Sequence, residues 1–164
     1  MEYGPLKMRA RLFVASICGV LLVIAGAYLG HGPAIGFPIS AESYLASRMD
    51  VLEFKETLNS ALMFGFVHIF AAMLVGVLPI RSRLVLPASW SFLTGVVLFS
   101  GVLCLRSLEQ FQNQSGIDAF TDRIVLLVPL GGLAFITGWT FLGLAVLRSV
   151  ASVRLETDQP NADR

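Results

Sequence analysis

Chemistry near neutral pH needs side chains that move protons, share electron pairs or hold charge, and this chain of 164 residues places few of them where a site could form. His68 stands out. It lies in the middle of an apolar stretch, Leu58 to Ile80, with no Asp, Glu, Lys or Arg between those limits. An ionisable group at that depth in a membrane segment is costly and is by default a candidate for function. Two readings stay open. The imidazole could relay protons or touch a ligand, with Ser91, Thr94, Ser100 and Thr137 completing a polar path. Alternatively it is neutral and hydrogen-bonds a backbone carbonyl or one of those hydroxyls on a neighbouring helix, holding helices together.

Pairing His68 with His31 would suggest a metal or bis-histidine haem. Depth argues against it: His31 closes the first apolar segment, whereas His68 lies ten residues into the next, roughly 15 Å deeper at helical rise. No C-x-x-C, H-x-x-x-H or carboxylate cluster is present, so no metal and no cofactor is expected. Cys18 and Cys104 fall on different helices at different depths and read as small apolar residues. The sequence contains no nucleophile elbow, P-loop or dinucleotide fingerprint, and the expectation is a protein that is not an enzyme.

The elements that carry His68 are set by composition. Hydrophobic residues make up 55% of the chain, charged residues 14%, and the mean hydropathy is +0.75. Those values belong to membrane proteins. With a net charge of +1 and no dense basic run, nucleic acid is not an expected partner. Four apolar segments, about 12–30, 58–80, 84–105 and 124–147, are each long enough to cross a hydrocarbon core of roughly 30 Å as a helix. The first, preceded by Lys7, Arg9 and Arg11, also resembles a signal sequence with Ala25-Gly26-Ala27 as a cleavage site, but its length favours a retained span. Between the first two segments, Ser40 as N-cap and Tyr44, Leu45, Met49 and Leu52 at helical spacing predict a short amphipathic helix along the membrane surface. Residues 1–150 read as a single transmembrane domain and 151–164 as a flexible tail.

Small residues recur on one side of each predicted span. In the second, Ala61, Gly65, His68, Ala72 and Gly76 form one helical stripe. Gly26 and Gly30 in the first, Gly101 in the third, and Gly131, Gly132, Ala134 and Gly138 in the fourth extend the pattern, with Trp139 packed against facing small residues. Such faces let helices approach closely in lipid, within one chain or between chains. The expected partners are therefore the bilayer itself and either further copies of the chain or a larger membrane complex. Lys7, Arg9, Arg11, Arg81, Arg83, Arg148, Arg154 and Arg164 lie on one side, against Arg48, Lys55, Arg106 and Arg123 on the other. The positive-inside rule then puts both termini in the cytoplasm.

Several strings carry a family resemblance. Val128-Pro129-Leu130-Gly131-Gly132-Leu133-Ala134-Phe135-Ile136-Thr137-Gly138-Trp139 fits the pattern P-x-G-G-x-x-F-x-x-G-W. Leu98-Phe99-Ser100-Gly101 fits L-F-S-G, and Gly26-Ala27-Tyr28-Leu29-Gly30-His31 approximates G-A-F-G-A-H. In these the chain resembles the domain of unknown function 423 family, small bacterial inner-membrane proteins with an animal relative, transmembrane protein 256. The second span departs from that pattern: the family's Y-Q-x-x-H is here Phe64-Gly65-Phe66-Val67-His68, which keeps the histidine and loses its polar neighbours. The resemblance implies a four-helix membrane fold in the inner membrane and implies no activity. The sequence thus predicts an all-α, four-helix transmembrane bundle. Its expected role is that of a non-enzymatic structural or accessory component, with a small oligomeric transporter or channel using His68 as the alternative.

Overall fold

In the computed structural model, residues 5–31, 44–78, 80, 82–112 and 123–157 are described. They form helices α1 (Pro5–His31), α2 (Tyr44–Val77), α3 (Val85–Gly95), α4 (Val102–Gln112) and α5 (Val128–Thr157). A π-helical turn, Val96–Gly101, joins α3 to α4 in one continuous rod, and a 3₁₀ turn, Val125–Leu127, leads into α5. Four stretches are apolar and long enough to cross a membrane: Ala10–Tyr28, Lys55–Val77, Val85–Ser107 and Val125–Val150. These are the four predicted spans, shifted by two or three residues at most ends. The longer helices bring Arg11 inside the first span, where it is 5% exposed, and Arg106 inside the third. His68 is therefore not alone among charged or ionisable groups within the spans, whose ends also include Lys55, Glu56 and Arg148; the Arg11 side chain is buried against the bundle.

The surface helix expected after Ser40 is not separated from the second span. From Tyr44 onward it is the same helix, because Tyr44 to Leu58 contains neither Gly nor Pro to interrupt the ladder. Residues 32–43, and with them the predicted N-cap, lie outside the described residues, as do Pro79, Arg81 and residues 158–164 of the predicted tail. The part of that tail up to Thr157 is helical.

The second and third spans are central and the first and fourth peripheral. Nearly half of each central window is buried, against 17% and 22% for the outer two. Helix contacts run first on second, second on third, third on fourth. Ala15, Leu22, Ile69, Ala72, Val75, Phe92 and Leu93 are among the residues of one continuous core.

Glycines set the spacing. A methyl group at Gly131 would lie 2.6 Å from the Phe99 nitrogen and 3.0 Å from the Leu98 carbonyl carbon, so the fourth span rests directly on the backbone of the π turn. One at Gly95 would collide with the Phe135 ring, and one at Gly138 would lie 2.6 Å from the Phe92 ring. At Gly131 the obstacle is backbone, and at Gly95 and Gly138 an added carbon would force the Phe135 or Phe92 ring to shift. This is the small-residue logic of helix association in lipid, where close packing replaces the hydrophobic effect.

Candidate functional site

The stripe that carries the histidine faces inward along its whole length. Ala61, Gly65, His68, Ala72 and Gly76 are all buried, the first at 0% and His68 at 5% exposure. Gly65 fits against Leu22 of the first span and Ser100 of the third; Gly76 fits against Leu12. His68 thus stands midway along a face in contact with two other spans.

Its surroundings are aromatic. The Phe135 ring stacks on the imidazole with centroids 3.5 Å apart and planes within 13°. Phe92 tilts against it at 5.8 Å, Phe64 lies 6.2 Å away, and Trp139 presents its edge at 6.2 Å. Phe92 and Trp139 also meet each other edge to face at 5.2 Å. The edge and tilted contacts among these are the ones favoured by ring quadrupoles, whereas Phe135 covers the imidazole face to face.

Both ring nitrogens are engaged. Nδ1 is 2.7 Å from the carbonyl oxygen of Phe64, one turn back on the same helix. That oxygen can only accept, so Nδ1 carries the proton and donates. Nε2 is left as an acceptor and receives the Trp139 indole N–H at 3.2 Å. A ring protonated on both nitrogens would point one donor at another, so this arrangement fits the neutral imidazole alone.

The predicted hydroxyl partners are elsewhere. Thr137 is exposed and donates to the Leu133 carbonyl at 2.8 Å. Ser16 and Thr140 do the same to the carbonyls four residues before them. This local bond is the one a helical Ser or Thr reaches most easily. Ser100 is fully buried beside Gly65 with its hydroxyl unbonded, as are Ser89 and Ser107. Thr94 is exposed and Ser91 half-buried, and neither bonds to His68. The bond from a neighbouring span comes from the fourth, through an indole long enough to cross the gap. Trp139 is accordingly half exposed at 48% and linked to a polar atom, in addition to its packing on Phe92.

Of the other predicted packing residues, Gly26 meets Leu62, while Gly132 has nothing within 4 Å and Gly101 meets only its own helix. Ala134 is half-buried, and Gly30 lies in the last turn of α1. Gly95 and the rings of Phe92, Phe99 and Phe135 belong to the site and were not singled out by spacing. Gly95 stands four residues after Ser91 on the third span, a small-residue spacing that could have revealed it.

Beside the histidine a groove of ≈ 580 Å³ opens between the second and fourth spans. Phe64, Phe99, Pro129, Gly132, Ile136 and Trp139 line it, together with neighbouring apolar groups and the edge of His68. Cys18 and Cys104 are free thiols, each partly buried. Among the described residues no three His, Cys, Asp or Glu side chains converge on a point that could hold a metal ion.

Four membrane-length helices packed through glycines around a caged, neutral histidine define a small multi-pass α-helical membrane protein. The chain belongs to the family described as protein of unknown function DUF423, whose model matches residues 25–132. It is similar to a UPF0382 membrane protein of Staphylococcus haemolyticus, 25% identical over 144 residues that cover 87% of this chain and 99% of that protein. No solved structure matches it.

Proposed function

We propose that the protein is a non-enzymatic structural or accessory component of the membrane, acting by packing, both within its own bundle and against partner membrane proteins. The observation that carries this reading is the state of His68: its proton is given to the Phe64 carbonyl and its lone pair accepts from Trp139. A relay would have to break one of these bonds at each step, in a ring packed against Phe92 and Phe135. One of these bonds, from the Trp139 indole, ties the fourth span to the second, and the other orients the ring on its own helix, which is what a packing role requires. The basic residues of the N-terminus, the second connection and the tail favour cytoplasmic termini in a bacterial inner membrane.

The test joins purification to flux. Crosslinking in native membranes followed by purification of the full chain should bring down a reproducible set of membrane proteins. Liposomes containing the protein should show the same proton leak as empty ones. Proton flux that disappears in His68→Asn while the fold is kept would overturn the packing role in favour of transport.

A further inference from the structure

The face of α2 turned away from the bundle carries a heptad repeat. Leu52, Glu56, Asn59, Met63, Phe70 and Val77 stand at steps of 4, 3, 4, 7 and 7 residues. All six are exposed, Phe70 at 67%. Met63 and Phe70 each lie two residues from the buried Gly65 and His68, about 200° around the helix. The stripe is therefore opposite the one that touches the first and third spans.

Inside the membrane lipid covers such a face, and no partner is called for. Beyond the bilayer surface lipid cannot serve. Leu52 precedes the apolar window Lys55–Val77 and is 51% exposed, and by spacing alone the repeat runs back through Met49 and Leu45. A separate amphipathic helix would lay such positions into the headgroups. In α2 that is prevented, because the helix continues the span without Gly or Pro between Tyr44 and Leu58 and stands up from the bilayer. Whatever covers this face must run beside α2 on both sides of the membrane boundary, as another straight helix of the same length does.

We propose that the occupant is α2 of a second copy of the chain, in a parallel pair about a two-fold axis along the membrane normal. The bilayer holds both copies at one depth and in one direction, which is the in-register arrangement a parallel heptad pair requires. The charges agree with it. In knobs-into-holes packing, a residue at the Glu56 position inserts among the positions of Leu52, Lys55, Glu56 and Asn59 on the facing helix. Each Glu56 then meets the opposite charge of Lys55 and the amide of Asn59 across the axis, and all three are exposed to make that contact. The two Glu56 carboxylates repel, but a Lys55 flanks each of them. Asn59 lies about 6 Å inside the start of the span at Lys55, where an amide pair between helices fixes register. This pairing deepens the packing role proposed above and rests on it for its purpose, not for its geometry; crosslinking reads the pairing alone, whereas proton flux lost in His68→Asn would overturn the role and leave the pair standing.

The test is disulfide crosslinking of the full chain in native membranes, with Cys18 and Cys104 replaced by alanine and one new cysteine added. Copper phenanthroline should give covalent dimers from Leu52→Cys, Asn59→Cys and Met63→Cys. Val23→Cys and Ile136→Cys, exposed on the first and fourth spans, should stay monomeric. In the Asn59→Cys protein, Glu56→Lys replaces attraction by repulsion at two symmetric pairs and should lower the dimer yield about fivefold. Adding Lys55→Glu should restore it, and because the exchange keeps composition, its recovery shows that the loss was not misfolding. Monomers at every position, equal dimer yields at all five, crosslinks to a different protein in place of the dimer, or no recovery on exchanging the charges would each overturn the proposal.

Discussion

Two adjacent glycines allow a demanding test of how these spans are held. At Gly131 an added methyl group would lie 2.6 Å from the Phe99 nitrogen, 2.8 Å from its Cβ and 3.0 Å from the Leu98 carbonyl carbon. Two of these three atoms are backbone of a helix core, so no side-chain rotation relieves the contact. The fourth span must move away by about an ångström, disturbing the stack of Phe135 on His68 and the Gly95–Phe135 contact. Overpacking of a close-packed interior costs about 1–3 kcal/mol, set against about 0.5–1 kcal/mol gained by replacing glycine with alanine in a helix. Gly131→Ala should therefore lose about 1–2 kcal/mol. Gly132→Ala meets nothing within 4 Å and should gain about 0.5–1 kcal/mol, so two variants of identical composition should differ by about 2 kcal/mol. Reversible unfolding of both proteins in mixed detergent micelles, followed by circular dichroism, measures the difference directly. Equal stabilities, or Gly132→Ala the weaker of the two, would refute the claim that backbone contact at Gly131 sets the distance between the third and fourth spans.

Other outcomes follow from the same geometry. Trp139→Phe keeps a ring but removes the donor to His68, and should cost about 1 kcal/mol in the same unfolding assay; no loss would show that this bond contributes nothing. His68→Ala removes both hydrogen bonds and the stacked ring and should cost about 2–3 kcal/mol, with His68→Asn recovering a large part. Ser100→Ala deletes a buried hydroxyl that has no partner and should leave stability unchanged or raise it by about 1 kcal/mol; a marked loss would mean that the hydroxyl is bonded in the membrane. In a protein freed of its two native cysteines, Lys55→Cys should react with an impermeant thiol reagent from outside the cell and Ser82→Cys only from inside. The reverse pattern would invert the orientation.

The four spans were legible because lipid demands long uninterrupted apolar helices, a requirement written directly into composition and length. The inward face of the second span was legible too, since steps of three or four residues place Ala61, Gly65, His68, Ala72 and Gly76 on one stripe. What sequence could not supply was the partner of His68. Spacing ranks hydroxyls as the natural bonding groups, but Thr137 and Thr140 satisfy themselves one turn back, and only the three-dimensional crossing of the second and fourth spans brings an indole within reach. The difference between Gly131 and Gly132 is equally invisible in a string of residues, because one helical step of about 100° separates a backbone contact from open space. The π turn escaped for a similar reason: Val96–Gly101 reads as ordinary apolar helix, and its extra residue shows only in the hydrogen-bond ladder.

The length of α2 has a mechanical corollary. Its 34 residues make a rod of about 51 Å, of which Lys55–Val77 accounts for about 34 Å. Some three turns therefore stand clear of the hydrocarbon as a handle on the side where the first two spans connect. With no glycine or proline between Tyr44 and Leu58, the handle has no joint. Any protein that grasps and tilts it turns a lever whose far arm carries Gly65 and His68, so leverage applied outside the bilayer is delivered at mid-membrane.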